Sequence, residues 1–381
     1  MDILISAGEA SGENYGAQLI SEMNALCPGL RFFGLGGDRM QAAGCDLTVH
    51  AKDVAVVGLA EVVSHLPKIY GEFRRLLREA DRRKPAAAVL IDFPDFNFRL
   101  ARQLHRRGIP VFYYVSPQLW AWRQGRIRLV QRYVRKMFVI FPFEEAFYRD
   151  RGVHVEFVGH PLADLQPPER SREAFAGNHG LDPARHWIAL LPGSRRKEIV
   201  MNLPEMLRAA RVLGPDQQYL MPVASTIDNQ WLASLVSQSG VSNIVFTHDS
   251  LSTLHHARAA VVASGTATME ATLMNVPFVM VYRVADLTWR LGRRFVSVPF
   301  FAMPNLIAGR EVIPELVQHE LTAGNIVQWM RCLLPEGSQR AEMLAGLEEI
   351  RSRLRGSERL ASPSGRVAAT ILAEVGLTIA K

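Results

Sequence analysis

Leu190-Leu191-Pro192-Gly193-Ser194-Arg195-Arg196-Lys197-Glu198 reads as the end of a buried strand, a glycine turn, and three cations opening a helix. Further along, Val261-Val262-Ala263-Ser264-Gly265-Thr266-Ala267-Thr268-Met269-Glu270 repeats the plan, with a carboxylate about a turn inside the helix. A helix amino end carries unpaired N–H groups and a partial positive charge, so each segment is a phosphate cradle. Arg195 can hold phosphate oxygens with two donors, and Glu270 can accept hydrogen bonds from a ribose diol. Taken singly, Gly193-Ser194-Arg195 is an ordinary loop and Glu270 an exposed helical acid. Two cradles on strand–helix units of the same series point to a nucleoside diphosphate.

Working outward, apolar strands alternate with helical patterns along the whole chain, which predicts parallel sheets covered on both faces. The strands expected first are Ile3–Ala7, Arg31–Leu35, Ala87–Ile91, Val111–Val115, Met137–Phe141 and Val155–Val158. A second series follows at Trp187–Leu191, Tyr219–Val223, Asn243–Phe246, Ala259–Ala263 and Phe278–Tyr282. Between the two series, His160–His186 carries four prolines and reads as a linker with a short helix. The expected fold class is therefore α/β, with two tandem Rossmann-like doubly wound domains over 1–165 and 166–355 and a ligand cleft between them. The helix around 356–381 is expected to pack back on the first domain.

With 381 residues and 48% apolar composition, the chain is too long for one core. Lys and Arg outnumber Asp and Glu by 44 to 37, a net charge of +7, which favours anionic partners. Nucleic acid is not expected, because no basic tail, aromatic RNA-binding signature or paired-Cys zinc pattern is present. The three cysteines, Cys27, Cys45 and Cys332, are widely separated and suit a reducing compartment. The amino terminus reads directly as a strand without the flanks of a signal peptide, and no 18-residue uncharged apolar run exists to span a bilayer.

Two carboxylates follow the strand Ala87–Ile91 in Asp92-Phe93-Pro94-Asp95-Phe96-Asn97. Asp95 reads as a helix cap. Asp92 reads either as a structural corner acid or as a base for an acceptor hydroxyl. With no Asp-x-Asp pair, no metal and no cofactor are expected, and a departing diphosphate would be neutralised by Arg195 and the helix start at Gly265-Thr266. Trp120 and Trp122 read as packing residues, or equally as the lining of a sugar or acyl pocket. Pro304-Asn305-Leu306-Ile307-Ala308-Gly309-Arg310-Glu311 reads as a binding loop or a domain-interface loop. Val62, Leu66, Ile69, Phe73, Leu76 and Leu77 recur at helical spacing among seven cations between Lys68 and Lys84. Core packing explains such a stripe, and an interfacial membrane helix explains it together with the charge.

Six segments in order resemble one family, the lipid-A-disaccharide synthases. They are Ala7–Gly12, Asp92–Asn97, Val115–Arg123, Leu191–Arg195, Ser264–Ala267 with Glu270, and Pro304–Glu311. The resemblance implies an inverting transferase of the glycosyltransferase B architecture. It would join a UDP-2,3-diacylglucosamine donor to 2,3-diacylglucosamine 1-phosphate through a β-1′,6 bond, releasing UDP at the cytoplasmic face of the inner membrane. It places Asp92 as the general base. Gly193, Ser194, Arg195, Ser264, Gly265, Thr266, Glu270 and Asn305 fall on the donor side, and Glu9, Ser11 and Gly12 in the acceptor loop. Glu13 stands where relatives carry Asp. Some relatives form intertwined homodimers. A UDP-sugar 2-epimerase, a non-catalytic UDP-sugar sensor and a peptidoglycan glycosyltransferase are the competing readings.

Overall fold

The structure is a computed structural model. It describes all residues except 55–58, 164, 225, 294–297, 356–361 and 378–381, and it leaves undescribed the side chains of Ala10, residues 59–66, Leu287 and Leu291. The chain divides into two compact units, Met1–Pro161 with Leu354–Lys381, and Leu162–Arg353.

The first unit holds a seven-stranded sheet: β1 Asp2–Ala7, β2 Arg31–Gly36, β3 Cys45–His50, β4 Ala87–Ile91, β5 Val111–Tyr114, β6 Lys136–Val139 and β7 Val155–Phe157. Every pairing is parallel and the order is β3-β2-β1-β4-β5-β6-β7. The central strands are apolar at nearly every position because helices cover both faces, so β1 and β4 are buried throughout. The helix Pro363–Glu374 packs on the helix Ala10–Leu26. Ser362 Oγ donates to Glu22 Oε1 at 2.7 Å, and Arg135 pairs with Glu374 at 2.7 Å.

In the second unit a six-stranded sheet comprises β8 Trp187–Leu191, β9 Gln218–Pro222, β10 Ile244–Thr247, β11 Ala259–Ala263, β12 Phe278–Tyr282 and β13 Glu315–Val317. It too is all parallel, in the order β10-β9-β8-β11-β12-β13. Both sheets are doubly wound, as the alternating pattern predicts. Sequence reading misses β3 and β13, both edge strands. Three of the six β3 residues are polar, and β13 has only three residues, so neither makes an apolar run.

The charged, apolar-striped segment requires a correction. Its helix spans Leu59–Arg83, and Leu76 and Leu77 are 0% and 9% exposed inside the core of the first unit. Phe73 meets Phe96 edge-on at 5.3 Å, and Ile69 also packs against this core. Ile69, Phe73, Leu76 and Leu77 therefore form the inward stripe of an amphipathic helix, not a lipid-facing one. Val62 and Leu66 lie outside the described side chains. Several of the cations serve local ion pairs, Arg75 with Glu72 and Arg82 and Arg83 with Glu79. Among the described residues no helix is long and apolar enough to cross a membrane. Leu76→Ala should lower unfolding stability by about 2–5 kcal/mol in urea titration. The folded variant should retain wild-type binding to vesicles of anionic phospholipid.

Candidate functional site

Each sheet reverses its winding once, between β1 and β4 in the first unit and between β8 and β11 in the second. Right-handed crossovers then send the two following helices to opposite faces, which leaves a crevice at the strand tips. Both phosphate cradles read from the sequence fall at this crevice of the second unit. A cavity of about 510 Å³ is lined by Gly193, Ser194 and Arg195 after β8, and by Ser264, Gly265, Thr266 and Glu270 after β11. Gly193 turns at φ 126°, and a side chain there would press on Glu198 Cβ. Gly265, at φ 140°, opens the helix Thr266–Leu273, whose amino end carries no side-chain cap. Glu270 is partly buried on that helix and accepts a hydrogen bond from Ser250 Oγ at 3.2 Å. Burial raises its pKa, and the Ser250 hydroxyl works against that rise.

Val223, Ala224, His248 and Ser250 complete the lining from the tips of β9 and β10. Sequence reading did not single them out, although the rule that ligands gather at carboxyl ends of parallel strands would have found them. Glu198 was also missed as an occupant of the first cradle. Its Oε2 accepts from Ser194 N at 3.0 Å and Arg195 N at 3.3 Å, while Oε1 pairs with Arg195 Nη1 at 3.2 Å. The helix Arg196–Leu213 thus supplies its own anion to its amino end, a capping arrangement. Arg195 itself remains 74% exposed.

The first unit repeats the geometry. Gly8–Gly12 follows β1 and Asp92 follows β4, on neighbouring strands. Glu9 is the exposed first residue of the turn into the helix Ala10–Leu26, Ser11 is partly buried, and Gly12 is buried against the Ile91 side chain. Burial first, and the nearby Glu9 charge second, push the Asp92 carboxyl up to about 7, against the pull of the Phe93 N–H. Glu13 faces elsewhere, accepting from Arg39 N at 2.6 Å at the start of the helix Asp38–Ala42. Asp95 is not the cap expected of it. The helix begins at Pro94, and the Asp95 carboxylate inside the first turn pairs with Arg123 at 3.4 Å and with Arg126. Trp120 is buried, its Nε1 donating to Glu144 Oε1 at 3.1 Å. Trp122 is 41% exposed beneath the Arg123 guanidinium. Among the described residues, no cluster of three or more His, Cys, Asp or Glu side chains is placed to hold a metal ion.

The family model described as lipid-A-disaccharide synthetase matches residues 3–364. The chain is 58% identical over 374 residues to the lipid-A-disaccharide synthase of Koribacter versatilis (strain Ellin345), covering 98% of both proteins. The chain belongs to the lipid-A-disaccharide synthetase family. Solved structures agree in fold. An S. aureus MnaA–UDP co-structure has a TM-score of 0.67 at 13% identity, with 99% of this chain and 97% of that one covered. The calicheamicin glycosyltransferase CalG4 has a TM-score of 0.59 at 18% identity, with 98% of each covered. Two doubly wound parallel units in tandem are the glycosyltransferase B architecture.

Within this family member, Asn305 departs from the donor-binding role expected of it. It is 0% exposed on the helix Met303–Ala308 and does not line the cavity. Its Nδ2 donates to Ile313 O and to Glu315 Oε1, both at 2.9 Å, and its Oδ1 accepts from Val312 N at 2.8 Å and Ile313 N at 3.0 Å. Both donors and both acceptor positions are used, so nothing remains to offer a ligand. Asn305 is instead a brace. Glu315 also takes the N–H groups of Phe301 and Ala302, and Ser264 Oγ reaches Phe301 O at 3.4 Å, so the brace backs the second cradle. Asn305→Ala should destabilise the protein by about 2–4 kcal/mol in urea titration, because it strands buried backbone donors.

Proposed function

We infer that the chain transfers a 2,3-diacylglucosamine from its UDP derivative to 2,3-diacylglucosamine 1-phosphate, forming a β-1′,6-linked lipid A disaccharide 1-phosphate and UDP. The observation that carries this reading is the cavity at the second switch point, where both cradles and Glu270 converge. Family membership supports the choice of sugars. The diphosphate lies against the uncapped amino end at Gly265-Thr266 with Arg195 gripping its oxygens, and Glu270 takes the ribose diol. No metal and no cofactor enter the proposal. Glu9, Ser11 and Gly12 border the acceptor beside Asp92.

The acceptor 6-hydroxyl oxygen attacks the anomeric carbon while the bond to the UDP oxygen breaks. The electron pair leaves on the diphosphate, and the hydroxyl proton passes to Asp92. Attack from the far face inverts the anomeric configuration. The family-typical substrates are acylated, so the chain works peripherally at the cytoplasmic face of the inner membrane, alone or as a homodimer.

Asp92→Asn should abolish disaccharide formation, followed by mass spectrometry, while calorimetry shows UDP binding intact. Since the base must be unprotonated, wild-type activity should rise through about pH 7. The same raised pKa has a stability consequence of defined sign. The folded state binds the Asp92 proton more tightly than the unfolded chain, whose carboxyl titrates near 3.8, so stability falls as pH climbs from about 4 to about 7. Asp92→Asn should accordingly raise the melting temperature at pH 8 and leave it nearly unchanged at pH 4.

Glu198 sets a second test. Its carboxylate occupies cradle N–H groups and repels an incoming phosphate. Glu198→Gln keeps the capping oxygen and removes the charge, so the Kd for UDP should fall ~5-fold, the size of a charge interaction of about 1 kcal/mol near the surface. Unchanged or weaker binding would place the diphosphate away from this helix start.

A further inference from the structure

Asp92 and Phe93 both sit in the left-handed region, at φ 45° and 48°. Neither is glycine, and two such residues in succession form a strained elbow that persists only when its surroundings hold it. The hold on Asp92 is a buried polar clamp on its backbone. Its carbonyl oxygen accepts from Tyr113 OH at 2.6 Å and from Asn97 Nδ2 at 2.8 Å. The same Nδ2 lies 3.2 Å from Ile91 O, and Ser6 Oγ donates to Asn97 Oδ1 at 2.7 Å, which fixes the orientation of the amide. Ser6, Asn97 and Tyr113 are all 0% exposed. On the other side, the Phe93 ring lies over Gly8, where any Cβ would overlap it, and stacks on Phe96 at 5.5 Å.

The clamp draws on three elements, β1, β5 and the helix Pro94–His105, and it meets at one carbonyl. Buried hydroxyl, amide and phenol groups destabilise a core unless each finds a partner, and here the partners run in a chain toward residue 92.

We propose that Ser6, Asn97 and Tyr113 are positioning residues that hold the Asp92 main chain in its strained turn and so aim the carboxylate at the acceptor hydroxyl. The proposal rests on Asp92 being the base. When the clamp is cut, the elbow relaxes and the carboxylate swings toward solvent. The base is then misplaced even though every substrate contact survives. Its proton affinity also drops as it leaves its buried place. The groups facing Asp92 there are the Glu9 carboxylate and the neutral Tyr113 phenol, with the Arg126 charge reaching as far as Tyr113.

Tyr113→Phe in the full chain tests this, because it deletes one hydroxyl and keeps the ring against Phe98. The expected result is a ~10–100-fold loss of kcat, as misplacing a reacting group by about an ångström produces, with KM for both sugars and UDP affinity unchanged. The acid limb of kcat should also move below its wild-type midpoint. Ser6→Ala should act in the same direction with a smaller loss, and it carries the test should Tyr113→Phe fail to fold. Folded variants with wild-type kcat and an unmoved limb would overturn the clamp. A loss confined to KM or to melting temperature would overturn it equally. Asp92→Asn measured alongside separates the two ideas: normal turnover in that variant removes the base itself, whereas a dead Asp92→Asn beside a normal Tyr113→Phe removes only the clamp.

Discussion

The reversal of winding at the centre of each sheet is the constraint from which the rest follows. Strands β1 and β4 are hydrogen-bonded neighbours, as are β8 and β11, yet each pair sends its chain to opposite faces. Loops at that point diverge and cannot cover one another, so backbone N–H groups and short side chains are left facing an open crevice. Each unit places a glycine-bearing turn there. In the second unit the result is a cavity lined by two helix starts, and in the first it is a carboxylate at a strand tip beside a glycine-flanked turn.

The two crevices differ in electrostatic character, and the difference matches the proposed division of labour. The second presents Arg195 and an uncapped helix start, and its carboxylates are either engaged, as Glu198 is, or held by a hydroxyl, as Glu270 is. That is a setting for an anion. The first presents Asp92 with Glu9 nearby, and no cation ranks among the causes that shift Asp92. A carboxylate raised by burial rather than lowered by a salt bridge is basic enough to take a proton near neutral pH. The same burial opposes folding above about pH 4, so a base proposed at this position comes at some expense of stability.

What the sequence made legible was whatever depends on local pattern. Apolar runs fixed most of the strands, and glycines next to helix starts marked the crevices, because strand burial and turn conformation are decided within a few residues. What stayed hidden depended on the direction of a side chain. Asn305 sits in a polar-tipped loop that looks ready for a ligand, but Ile313 and Glu315 turn its amide inward. Leu76 and Leu77 stand among cations, yet the helix puts the charges outside and the leucines under the sheet. The capping by Glu198 was implicit in its spacing from Arg195, and only the geometry shows that it fills the cradle. Edge strands β3 and β13 were too polar or too short to register.

A left-handed residue other than glycine stores about 1–2 kcal/mol. Glycine at position 92 would remove that strain along with the carboxylate, and glycine at 93 would remove the ring that lies on Gly8 and stacks on Phe96. The chain instead puts its bare backbone just past the neighbouring strand at Gly8 and keeps a carboxylate and an aromatic ring in the strained elbow. Val115, at φ 62° at the tip of β5, extends the pattern, since a β-branched residue is disfavoured there and β5 ends as a result one residue earlier than its apolar run. Strain at two adjacent strand tips, with glycine beside one of them, is the arrangement expected where a side chain must be held in one direction rather than where a turn must merely close.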